Sequence, residues 1–137
     1  MGLLIDTSVV IAWERARSLP DNLAPFFEQP VWFAAITVSE LLHGVHRANT
    51  QARRERRGQF VERLLVTDSV LPFDTEVART HAALWADLAR EGRVIGAHDL
   101  LIAATALHHE ADVLTANRRD FERVPGLKLV LFPQTTR

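Results

Sequence analysis

The sequence predicts an α/β fold in three layers, with a mainly parallel central sheet between helices. Three observations predict it. Short apolar runs at 2–5, 31–34, 70–73, 112–115 and 128–131 alternate with longer stretches at helical spacing. Strands that alternate with helices throughout argue for parallel pairing, because each parallel connection needs a crossover. One stretch, DLLIAATALHH near 98–109, is apolar nearly all round and belongs in the interior. The chain has 137 residues, 47% of them hydrophobic, which suits a single domain over 1–137 with a proper core.

Residues 2–5 read as a buried strand. Thr7 or Ser8 is placed to cap a helix over 8–16, with Pro20 beyond its end. A short helix is expected near 22–28. Val31-Trp32-Phe33-Ala34 is the second strand, led by Pro30. Thr37-Val38-Ser39-Glu40 has a capping-box pattern, so a helix is expected from there through Leu41, Leu42 and Val45. The next helix spans 50–66, with Phe60, Val61, Leu64 and Leu65 as its apolar side and Arg53, Arg54, Arg56 and Arg57 in its first half.

Val70-Leu71-Pro72-Phe73 is a short strand whose proline marks an end or an edge. Asp74 caps the helix that follows. Val77, His81, Leu84, Trp85 and Leu88 fall on one face of it, and Gly92 is a natural stop. The interior helix follows, then strands over 112–115 and 128–131.

The composition excludes several classes. There are 16 Lys+Arg against 17 Asp+Glu, a net charge of -1, so nothing in the bulk charge favours nucleic acid. A polyanion site must be a local patch or be built by a metal. With no cysteine, disulfide frameworks and thiolate zinc sites are ruled out, and a cytoplasmic location is consistent. No stretch reads as a signal peptide or is long enough to span a bilayer.

An aspartate abutting a buried strand is costly unless compensated. Asp6 stands at the carboxyl end of the first strand, and ligands of open α/β sheets bind at such ends. Asn117 follows the 112–115 strand at an equivalent place. Glu40 lies in the first turn of the helix after 31–34, and Asp99 opens the interior helix. Asp120 sits one turn past Asn117. Two carboxylates at about 4 Å in an effective dielectric near 20 repel by on the order of 4 kcal/mol. Either one stays protonated or a divalent cation neutralises them. Oxygen-only ligands favour Mg²⁺, with Mn²⁺ as a substitute. Such an ion admits a phosphodiester to an acidic pocket and activates water for in-line attack.

Each residue also has a plainer reading. Asp6 suits a helix cap, Glu40 a capping box, Asp99 the positive end of a helix, and Asn117 a cap before Phe121. Their joint placement on one sheet edge favours the site. His43 and His46 lack a third ligand and read as surface or packing residues. His98 reads as a helix-start residue, although it lies close enough to Asp99 to touch a substrate. The Arg53–Arg57 run reads as a solvated helix face, with RNA phosphates as the alternative. Trp13, Trp32 and Trp85 read as core or interface.

Four blocks, LLIDTSVVIA, AAITVSELLHG, GAHDLLIAATAL and LTANRRDFERVPGLKLV, together resemble the signature blocks of PIN-domain ribonucleases, and most closely those of VapC toxins. They cover nearly the whole chain in order. The resemblance implies a metal-dependent endoribonuclease with an α/β/α fold. It implies that Asp6, Glu40 and Asp99 are the catalytic acids and metal ligands. Asn117 matches the fourth polar position, where some members carry Asp; either Asp120 supplies that charge or the site holds one metal firmly and a second weakly. Ser8 and Thr115 match hydroxyls that hydrogen-bond the site. The resemblance also implies a homodimer and a VapB-like antitoxin whose C-terminal segment covers the cleft. The rival reading is a catalytically weak PIN fold that binds RNA or a protein. A phosphoaspartate enzyme ranks lower, because the acid its motif wants two residues after Asp6 is Ser8.

Overall fold

The computed structural model describes residues 2–16, 28–66 and 69–132. Strands β1 (Leu3–Ile5), β2 (Val31–Ala34), β3 (Val70–Leu71), β4 (Asp112–Thr115) and β5 (Leu129–Leu131) form one sheet in the order β3-β2-β1-β4-β5. Every pairing is parallel. The helices are α1 (Thr7–Ala16), α2 (Ala35–Arg47), α3 (Gln51–Leu65), α4 (Thr75–Arg90), α5 (Ala97–His108) and α6 (Arg118–Phe121). The expected helix near 22–28 lies almost wholly outside the described residues.

The sheet is covered on both faces. Side chains alternate across a strand, so neighbours in sequence enter different layers. In β1, Leu3 and Ile5 join one apolar cluster with Val9, Val10 and Phe33, with Phe60 and Leu64 of α3 packed against it. Leu4 points the other way, into the cluster built by Val77, Leu84 and Leu88 of α4 and Leu100, Ile102 and Ala103 of α5. The same alternation splits Val113 from Leu114 and Ala34 from Phe33. This is the three-layer arrangement expected.

α5 carries its apolar residues inward as expected, with six of its twelve side chains buried. Asp74 caps α4 by accepting the Val77 N–H. Gly92 adopts φ 68 just past α4, a conformation glycine takes without strain. β3 is an edge strand, in keeping with Pro72. Trp85 departs from expectation: Val77, Leu84 and Leu88 are buried, but Trp85 is 60% exposed beside the His81 ring.

The capping box is not formed. β2 passes into α2 with no loop, Ala34 holds the cap position without a side-chain bond, and Thr37 and Glu40 lie inside the helix. A local cap signal loses here to a tertiary contact, because Thr37 is fully buried with its hydroxyl 3.0 Å from that of Thr7. Thr7 and Ser8 likewise do not act as caps. The amides of Val9 and Val10 turn to the Asp6 carbonyl, which leaves both hydroxyls for other partners.

This topology creates one switch point. From β1 the chain builds outward through β2 and β3 on one side, then returns to build β4 and β5 on the other. A crevice opens above the carboxyl ends of β1 and β4.

Candidate active site

Asp6 leaves the end of β1 into that crevice and is only 3% exposed. Its Oδ2 accepts hydrogen bonds from Ser8 Oγ at 2.6 Å and Thr115 Oγ1 at 2.8 Å. Both hydroxyls are used twice. Ser8 Oγ accepts the Ala116 N–H at 3.1 Å, and Thr115 Oγ1 accepts the Asn117 N–H at 2.8 Å. The loop after β4 is thereby stapled to the end of β1. Burial pushes the Asp6 carboxyl above its ordinary range. Its hydrogen bonds from Ser8, Thr115 and the Thr7 backbone oppose that, and the nearby Glu40 charge adds to it.

Asp99, in the first turn of α5, is half-buried. Asn117 Nδ2 donates to its Oδ2 at 3.3 Å. Asp120, in α6, also hydrogen-bonds to it, and Gly96 lies beside both carboxylates. The Asp99 carboxyl is pushed up to about 7. Burial is the first cause, then the Asp6 charge, then the bond and charge of Asp120, then Glu40. Four acids from distant segments therefore feel one another. Among the described residues, no Lys or Arg forms an ion pair with Asp6, Asp99 or Asp120.

Glu40 is held differently. Its Oε1 accepts the Thr7 hydroxyl at 2.7 Å, and its Oε2 lies 3.0 Å from His98 Nδ1. A carboxylate needs a donor, so Nδ1 carries the proton whatever the charge of the ring. Thr7, Thr37 and His98 thus belong to the polar network around Glu40, a place that their reading as helix-cap and helix-start residues does not reveal. The Thr37–Glu40 spacing does mark one helix face, but a cap accounts for it equally well in the sequence alone. His98 carries no stronger signal than its place at a helix start.

All the expected residues, Asp6, Ser8, Glu40, Asp99, Thr115, Asn117 and Asp120, meet at this crevice. Among the described residues, however, no three carboxylate or imidazole side chains are set as a ready coordination shell. The three acids expected to share an ion are divided: Glu40 has both oxygens engaged by protein, while Asp6 and Asp99 face the shared charge. Their hard oxygen donors and uncompensated negative charge fit Mg²⁺, which binds through one or two carboxylates and keeps several waters. His43 and His46 are both exposed on α2, as expected of surface residues.

Comparison with known proteins identifies the family. A family model described as "PIN domain" matches residues 3–127. "Ribonuclease VapC1" of Rickettsia felis is 38% identical over 130 residues, 95% of this chain and 96% of that protein. The chain belongs to the PIN-domain family, in its VapC group. Within that group, "tRNA(fMet)-specific endonuclease VapC" of Salmonella typhimurium is 34% identical over 132 residues, 94% of this chain and 96% of that one. The crystal structure of DNA-bound VapBC from Salmonella typhimurium superposes with a TM-score of 0.83 at 28% identity, covering 96% of this chain and 98% of that one. The crevice of this PIN domain therefore lies on a scaffold shared with named ribonucleases. No helix among its described residues is long and apolar enough to cross a membrane.

Proposed function

We infer that this PIN domain is an endoribonuclease, the toxin of a VapBC-type pair, and that it cleaves RNA with the help of a divalent cation. The observation that carries this reading is the set of uncompensated acids, Asp6, Asp99 and Asp120, gathered at the switch point with Glu40 beside them. Asp6 and Asp99 would hold Mg²⁺, or Mn²⁺ in its place. Bound there, the ion would polarise the phosphoryl oxygen and favour ionisation of the attacking water.

The chain's own residues do the rest. Ser8 and Thr115 fix Asp6, so its free lone pairs are aimed without further reorganisation. Glu40, clamped by Thr7 and His98, takes a proton from the water that attacks phosphorus. The bond to the 3′-oxygen breaks as the new P–O bond forms, and the departing 3′-oxygen takes a proton from solvent water, leaving a 5′-phosphate and a 3′-hydroxyl. Asn117 and Asp120 hold Asp99 in place. The neutral Asn117 alone would favour a catalytically weak fold, but Asp120 stands beside Asp99 and makes up the missing acid. A VapB-like antitoxin partner, a homodimeric state and a cytoplasmic location accompany this reading.

Purified protein is expected to cut RNA with Mg²⁺ or Mn²⁺ and to stop when the ion is chelated. Asp6→Asn, which keeps the shape and loses the charge, is expected to be inactive. RNA left intact by the wild type with either ion, or cut equally well by the variant, overturns the reading.

The Glu40 clamp gives a separate test. His98→Asn places an amide N–H near the position of Nδ1 and is expected to keep most of kcat. His98→Gln reaches toward Nε2 instead, and His98→Ala offers no donor. Both are expected to lose about 10- to 100-fold in kcat, the usual cost of removing a group that orients a site residue. Equal losses in all three variants, carried by KM, would show that His98 touches substrate rather than Glu40.

A further inference from the structure

The crevice does not end at Glu40. A cavity of about 160 Å³ opens beside it, running past Leu41 and Gly44 of α2 toward Arg57 of α3. It shares Glu14, Arg15, Arg57 and Phe60 with a wider groove of about 600 Å³ between α1 and α3. The two adjoin at these four shared residues, and the inner one is lined by a candidate catalytic acid, Glu40. The outer one is lined by Arg15, Arg53, Arg56, Arg57 and Arg63, against Glu14 as the one acid.

The arginines are arranged, not scattered. At 100° per residue, positions 53, 56, 57 and 63 fall on one side of α3, and Arg54 falls away from it. From Arg53 to Arg63 the helix advances about 15 Å. Among the described residues, none of the lining arginines forms an ion pair. Arg57 Nη1 donates to the Gly44 carbonyl at 3.2 Å and Arg53 Nη1 to Asn49 Oδ1 at 3.1 Å, so two guanidinium groups are held in position with charge to spare. In a chain with a net charge of -1, this is a local cationic patch that the bulk composition hides.

We propose that the two together form a channel for the substrate strand, with single-stranded RNA flanking the scissile phosphate lying along α3 and its phosphates on the arginine face. The proposal rests on the ribonuclease reading of the crevice. A repeating anion suits a repeating row of planar donors, and the row leads to the acid that would act on the attacking water. Arg56 and Arg63 are exposed, so replacing them leaves the core untouched.

The experiment is fluorescence anisotropy of a labelled single-stranded RNA, with metal chelated so that no cleavage occurs, over a range of salt. The double variant Arg56→Ala/Arg63→Ala is expected to bind about tenfold or more weakly, with a salt slope shallower by about 1.4, at roughly 0.7 for each single-strand phosphate that is no longer neutralised. The charge-matched pair Arg79→Ala/Arg90→Ala on α4 is expected to change neither. In cleavage assays the α3 pair is expected to raise KM more than it lowers kcat. Unchanged RNA affinity in the α3 variant overturns the channel and leaves the ribonuclease reading standing. A wild type that neither binds nor cuts RNA overturns that reading itself. Loss of affinity for a polyglutamate peptide, with RNA binding intact, would assign the channel to an acidic protein segment.

Discussion

Replacing Asp99 with asparagine is expected to silence the enzyme and, in the absence of metal, to make it more stable above pH 7. The loss of activity follows from removing one of two proposed cation ligands. Removing a mere outer partner of a metal ligand already costs about 10- to 100-fold, so about 100-fold is the least expected here. The gain in stability follows from protonation. Asp99 holds its proton up to about pH 7 in the folded chain, against an ordinary value of 3.8. Between those values the folded state binds more protons than the unfolded one, so stability falls as pH rises, and the full penalty is present above 7. Asparagine does not titrate, and its N–H₂ can donate to Asp120 as the protonated acid does. The advantage at pH 8 is on the order of 1–2 kcal/mol, once screening of a half-exposed group is allowed for. Thermal melts in chelator from pH 5 to 8 should show wild type and variant diverging as pH rises. Added Mg²⁺ should raise the wild-type midpoint alone. Parallel melts would mean that the acids do not strain one another.

Phe121→Ala is expected to cost about 3–5 kcal/mol, which lowers the melting midpoint by more than about 10 °C. Phe121 is fully buried and, among the described residues, the largest such side chain, and it anchors α6 against the α5 layer. The space left by the ring lies directly under the turn that carries Asn117 and Asp120, so activity should fall further than the unfolded fraction explains. Phe121→Leu fills most of that space and should recover the greater part of both. A melting point unchanged in the alanine variant would mean that α6 packs loosely and does not position the site.

Much of this is legible in the residues alone. The central strands β1 and β4 are buried almost throughout, so they read as apolar runs, whereas the outer β3 and β5 are only partly buried. α5 is greasy all round because it packs directly on the sheet. The acids stand out because a charge at the end of such a run is too costly to be there without a partner. What stays hidden has one cause: it concerns contacts between distant segments. Thr37 and Glu40 look like a cap until Thr7 is placed beside them. His98 looks incidental until α2 and α5 are packed together. Trp85 follows the helical period of its neighbours yet lies exposed beside the His81 ring. The arginine face is visible as a run, but a run does not reveal that α1 and α2 line grooves beside it.

The staple between Asp6 and Thr115 joins positions 109 apart in the chain. During synthesis the first candidate acid leaves the ribosome well before its partners on β4 and α6. A nascent chain therefore carries an inert aspartate until those segments have followed it out. The acid cluster can therefore come together only after nearly the whole chain has been translated.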